Sequence, residues 1–111
     1  MSRRKGEVVI NEMSFADLTL SLSTYDLAAN GKSIRLGFKE FEVMKILMSN
    51  NSAIVKKEDL ISKVWGMDSE AEDNNVEVYI SFLRKKLFFL SSRAEITTVR
   101  KVGYKIEDKK L

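Results

Sequence analysis

A chain of 111 residues with a hydrophobic fraction of 44% has the length and apolar content of one globular domain. It contains no Cys, which excludes a disulfide framework and a thiolate metal site, and no apolar run of the ~18 residues needed to span a bilayer. The formal net charge of +3 is unevenly laid out: Met1 to Gly6 carries three cations and no acid, Glu7 to Leu83 seven cations against thirteen acids, and Arg84 to Leu111 nine cations against three acids. Charge segregated in this way makes a local positive field, and its usual partners are polyanions, whether nucleic acid or an anionic membrane surface. No apolar segment near the N-terminus has the form of a signal peptide, so the expected compartment is the cytoplasm.

Residues 1–6, MSRRKG, read as a linker or tail, and residues 7–107 as the folded unit. Short strand candidates follow at Val8–Ile10, Phe15–Leu22 and around Tyr25–Leu27. Asn30-Gly31 is a turn signal because both residues tolerate positive φ, and Ile34–Leu36 is the next strand. The opening is therefore expected to be a small antiparallel sheet. The period then changes. Phe38, Phe41, Met44, Leu47 and Met48 recur at spacings of three and four, which predicts an amphipathic helix of about 12 residues ended by Asn50-Asn51-Ser52. A second helix is expected from Lys57 to Trp65, with Leu60, Ile61, Val64 and Trp65 buried, Glu58 and Asp59 in its first turn and Gly66 as terminator.

Residues 67–73, MDSEAED, form an acidic loop. Asp68, Glu70, Glu72 and Asp73 begin like a calcium loop, but its sixth position is Asp73 instead of Gly and its twelfth is Tyr79 instead of Glu, so no metal is expected there. With neither His nor Cys in the chain, the common general bases and nucleophiles are missing, and neither enzymatic chemistry nor a cofactor is expected.

Residues 74–90, NNVEVYISFLRKKLFFL, carry two conflicting patterns: Val76, Val78 and Ile80 alternate like a strand, while Ile80, Leu83, Leu87 and Leu90 step like a helix. At 100° per residue, Val76, Ile80, Leu83, Leu87 and Leu90 fall within about 80° of one another, the width of a packed helix's core stripe. Asp73 or Asn74 suits an N-cap, and Asn74 with Glu77 has the form of a capping box. The segment is a helix. Its other face sets the apolar pair Val78 and Phe82 among Asn74, Asn75, Ser81 and Lys85. A DNA major groove could use such a face, with amides on adenine, apolar groups on thymine methyls and Lys85 on phosphate. Two alternatives stay open. Val78 and Phe82 could pack against another element of the chain, or with Phe89 they could form a docking patch for a protein. RNA is disfavoured because a helix does not fit the narrow A-form major groove. Strand candidates Ile96–Arg100 and Val102–Ile106 then form a hairpin, with Gly103 expected to supply conformational freedom near the turn or a bulge, and residues 108–111 form a fraying tail.

Sheet, three helices and hairpin, in that order, describe an α+β winged helix-turn-helix. The chain resembles the C-terminal DNA-binding effector domain of OmpR/PhoB-type response regulators. The matching pieces are Leu36-x-x-Lys39-Glu40-Phe41, Val64-Trp65-Gly66, Val76-Glu77-Val78-Tyr79-Ile80, Leu83-Arg84-Lys85-Lys86-Leu87 and Thr98-Val99-Arg100-Lys101-Val102-Gly103-Tyr104. The resemblance implies that the third helix enters the major groove, with Asn74, Asn75, Val78, Ser81 and Phe82 facing bases. It implies DNA-backbone contacts from Tyr79, Arg84, Thr98 and Tyr104, joined by Lys85 and Lys101, and a wing that places Arg100 in the minor groove. It also implies direct repeats of double-stranded DNA bound head-to-tail, and an RNA polymerase contact by the loop carrying Asp68, Glu70, Glu72 and Asp73. A receiver domain phosphorylated by a sensor histidine kinase would precede this unit; 111 residues leave no room for it, and Arg3-Arg4-Lys5 is where the connecting linker would end. Three departures bear on recognition. The family often has Arg at the positions of Asn74, Ser81 and Phe82, so A·T-rich sites are expected here. Gly37 stands where a Thr cap is frequent, and Lys101 where a wing Gly is common.

Overall fold

The computed structural model describes residues 11–66 and 73–109, with the backbone alone at residues 73 and 74. Its elements are β1 (Glu12–Phe15), β2 (Leu18–Ser21), β3 (Asp26–Ala29), β4 (Lys32–Arg35), α1 (Phe38–Ser49), β5 (Val55–Lys56), α2 (Lys57–Trp65), α3 (Asp73–Phe89), β6 (Ala94–Val99) and β7 (Gly103–Asp108). The first four strands form an antiparallel sheet in chain order, and β5, β7 and β6 form a second sheet with β7 in the centre. This is the expected winged helix.

Several local expectations change. The stretch Phe15–Leu22 is not one strand: Phe15 ends β1, Ala16 turns at φ 56°, and Leu18 opens β2 as the partner of Phe15. Asn30 and Gly31, at φ 55° and 79°, make the predicted two-residue turn between Ala29 and Lys32. The strand candidates at Tyr25–Leu27 and Ile34–Leu36 each shift by a residue or two, to β3 and β4. Val8–Ile10 and the segment 1–6 lie outside the described residues.

α1 and α2 begin and end where periodicity puts them. Phe41, Met44, Leu47 and Met48 are buried as expected, joined by Val43, but Phe38 is exposed and lies 6.1 Å from Tyr25 at the sheet's rim. Gly37 has no side chain to cap α1. Glu40 reaches back instead, accepting from the Gly37 N–H at 2.7 Å, and its carboxylate, 7% exposed, also takes Lys86 Nζ of α3 at 2.5 Å. A buried carboxylate without that cation would be costly, so the pair fixes which faces of α1 and α3 meet. On α2, Leu60 and Val64 are buried, whereas Ile61 and Trp65 only partly cover the core.

The predicted stripe of α3 is the centre of the core: Val76, Ile80, Leu83, Leu87 and Leu90 are all buried. The Glu77 carboxylate pairs with Lys57 at 3.5 Å, joining the start of α2 to α3, while the Asn74 side chain of the expected capping box lies outside the described residues. The hairpin is longer than its apolar pattern because Ala94, Glu95, Glu107 and Asp108 continue the ladder. Gly103 does not sit at a positive φ. Its role is close approach: a Cβ there would lie 2.0 Å from the Val55 carbonyl oxygen, because β5 crosses directly over it.

Candidate nucleic-acid interface

The geometry of the candidate surface follows from how α3, α2 and the hairpin are joined. Lys57 N–H donates to the Val102 carbonyl at 3.0 Å, so the first turn of α2 rests on the hairpin turn. Residues Arg100 to Val102 make that turn, closed by Val102 N–H on Val99 O at 3.0 Å. Lys101 adopts φ 64°, a conformation Gly reaches without strain, and its side chain shares a shallow cleft with Lys57 and Glu58. Arg84 crosses from α3 to β6, donating from Nε and Nη2 to the Ile96 carbonyl at 3.1 and 2.8 Å and from Nη2 to Thr98 Oγ1 at 2.9 Å. The hairpin is thus fastened to both helices, and its turn projects beside them.

α3 turns its other face outward. Val78 is 46% and Phe82 40% exposed, with Ser81 and Lys85 also exposed and Asn75 half-buried. The two apolar residues are therefore not core, which removes the reading in which they pack inside the chain. An edge-to-face column of rings runs up to Phe82: Trp65 to Tyr79 at 5.4 Å and Tyr79 to Phe82 at 5.7 Å. Lys39 stands over Trp65 at 5.6 Å and donates to the Val64 carbonyl at 3.3 Å, holding the end of α2 against this column.

Among the residues expected at DNA, this surface brings together Asn75, Val78, Ser81, Phe82 and Lys85 on α3 with exposed Thr98, Arg100 and Lys101 on the hairpin. Tyr79 is half-buried between two rings. Arg84 reaches the surface, yet its guanidinium is already committed to β6. Tyr104 is the most buried residue of the expected set whose side chain is described. It is 3% exposed, on the central strand β7 between Val55 of β5 and Thr98 of β6. Asp68, Glu70 and Glu72, and the side chains of Asp73 and Asn74, lie outside the described residues. The β5 pairing also carries Lys57 to the hairpin turn, a placement that two strand residues announce by no periodic signal.

Residues 31–106 match the family described as the C-terminal domain of transcriptional regulatory proteins. The chain is 38% identical over 108 residues to the transcriptional regulatory protein DltR of Streptococcus agalactiae, covering 97% of this chain and 48% of that protein. It spans about half the length of the curated relatives it matches. Two solved structures superpose closely. The C-terminal domain of the lantibiotic response regulator NsrR, a nisin resistance regulator, has a TM-score of 0.71 at 32% identity, covering 84% of this chain and 93% of that one. The DNA-binding domain of Klebsiella pneumoniae RstA, solved in complex with the RstA box, has a TM-score of 0.71 at 29% identity, covering 87% and 97%. The chain belongs to this family, as the C-terminal effector domain of an OmpR/PhoB-type response regulator.

Proposed function

We propose that the chain binds double-stranded DNA sequence-specifically, with α3 in the major groove and the β6–β7 hairpin as a wing over the adjacent minor groove. The observation that carries this reading is the outer face of α3. An apolar pair left in solvent, framed by a hydroxyl, an amide and a cation, and flanked by a basic turn, suits a groove lined with methyls and phosphates. Phe82 and Val78 would meet thymine methyls, Asn75 and Asn74 adenine edges, and Ser81 a base edge. Lys85, Lys101 and Thr98 would contact the backbone, with Tyr79 and Arg84 as secondary contacts, while Arg100 enters the minor groove. Lys57, beside Lys101, is added to the backbone set.

Partners beyond DNA follow from the same reading. Head-to-tail pairs would occupy direct repeats, and the acidic loop with Asp68, Glu70, Glu72 and Asp73 would face RNA polymerase. In the longer protein, a receiver domain and its sensor kinase would govern occupancy. A second reading has an observation of its own: Phe88, 86% exposed at the far end of α3, suits a protein contact.

Titration of a duplex selected from a random pool, repeated across salt concentrations, separates the two. Neutralising about four to six phosphates predicts a slope of log K against log salt of about −4 to −5. A slope near zero would transfer the outer face of α3 to the protein-docking reading.

A further inference from the structure

The C-terminal end of α3 is closed from a distance. The last carbonyls of a helix have no intrahelical partner and are ordinarily left to water or to local turns. Here Lys86, Leu87 and Phe88 are satisfied locally, by the N–H groups of Leu90, Ser92 and Ser91, with Ser91 at φ 55°. The next three carbonyls are satisfied by the β3–β4 turn. Lys32 Nζ donates to Phe89 O at 3.3 Å, and the Asn30 side-chain amide donates to Leu90 O at 3.0 Å and Ser91 O at 2.8 Å.

The β1–β2 turn completes the clamp. Asp17 accepts from Ser92 Oγ at 2.6 Å, from the Arg93 N–H at 3.1 Å and from the Asn30 amide at 3.3 Å. Burial opposes ionisation of this carboxyl, but the bonds from Ser92, Arg93 and Asn30 outweigh it and hold its pKa below the ordinary value. The link so gripped leads straight into β6, where Ser92 Oγ accepts from the Ala94 N–H at 2.9 Å.

We propose that Asn30 and Asp17 are positioning residues for DNA recognition: from two turns of the N-terminal sheet, they set the angle between α3 and the wing by fixing the segment that joins them. The inference rests on the DNA-binding reading above. Phe82 lies about 12 Å along the helix from the clamped end, so a small rotation there carries a base-facing side chain off register. Contacts made by flexible cations to phosphate tolerate such a shift; contacts to base edges do not.

The test uses Asn30→Gly, which keeps the positive φ of the turn and deletes only the amide, and Asn30→Asp, which keeps its size and sets a carboxylate against the same carbonyls. Affinities for a selected duplex and for random duplex are measured at one salt concentration, with amide exchange followed at Leu90, Ser91 and Ser92. Both variants should exchange faster at those amides and lose about tenfold in the ratio of selected to random affinity, since the amide's hydrogen bonds to Leu90, Ser91 and Asp17 are removed. Affinity for random duplex should stay within about twofold. Faster exchange with an unchanged ratio would overturn the proposal and leave the clamp a purely structural device. Equal losses on both duplexes would do the same. A parent chain with no preference for any duplex would instead bring down the DNA-binding reading, and this inference with it.

Discussion

The two long faces of α3 both carry apolar residues, and these have opposite fates. One carries Val76, Ile80, Leu83, Leu87 and Leu90, all buried; the other carries Val78 and Phe82, each more than a third exposed. Side-chain chemistry does not separate them, since a valine stands on each face and Phe82 is larger than any residue of the buried stripe. What separates them is the number of anchors in helical register. Five apolar residues on one stripe give a continuous surface for α1, α2 and the hairpin to cover, whereas two do not. The lesson is that an isolated apolar pair opposite a complete stripe is available for use.

The comparison breaks most visibly at its inner face. Leu83→Ala should destabilise the fold by about 2–5 kcal/mol, the usual cost of a large-to-small change in a core, and thermal melting would register it. The protein that remains folded should keep its DNA preference. A variant that melts like the parent would mean the stripe is less tightly covered than its burial indicates. Trp65 tests the column of rings between the faces. A fully buried Trp would cost about 3–5 kcal/mol on truncation, but this ring is partly exposed, so Trp65→Ala should cost less, about 2 kcal/mol. It should also loosen Tyr79 and Phe82, which could be read as a shift in their ring resonances.

The outer face should answer differently. Phe82→Ala should leave the melting temperature nearly unchanged while costing on the order of 1–3 kcal/mol against the preferred site and little against random duplex. Parallel losses on every sequence would place Phe82 with the backbone contacts and dissolve the contrast. Arg100→Ala is the mildest. A wing cation in the minor groove senses potential more than base identity, so its removal should weaken most sequences alike and reduce the salt slope by about one. No change in slope would take the wing off the DNA.

Much of this arrangement was legible in the amino-acid order. The turn at Asn30-Gly31, the limits of α2 and the core stripe of α3 all follow from local chemistry and period. The sequence failed where a residue's fate depends on a distant one. Phe15–Leu22 reads as one apolar run because the break at Ala16 and Asp17 lacks Gly, and a positive φ at Ala is not a sequence signal. Tyr104 looks like a surface ring until β5 pairs with β7 and closes over it. Val55-Lys56 is too short to announce a strand. Asn30 announces its turn through its tolerance of positive φ, while its amide's bonds to Leu90 and Ser91, 60 and 61 residues away, leave no trace in the local pattern. At the candidate site, the outer face of α3 could be read from the helical wheel, but Lys57 could not, since only the fold carries it to Lys101.

Gly103 finally has a consequence for how such a domain can be re-engineered. With the Val55 oxygen where any β-carbon would stand, the root of the wing is a fixed joint that accepts a single residue type. Of the residues before it, Arg100, Lys101 and Val102 stand exposed with no such steric limit on their side chains, although the Val102 carbonyl must stay to hold the Lys57 N–H. A wing could therefore be lengthened, recharged or exchanged for another at its tip, provided the graft begins outward of the joint. A graft that moved the joint itself would unseat β5, and with it the start of α2.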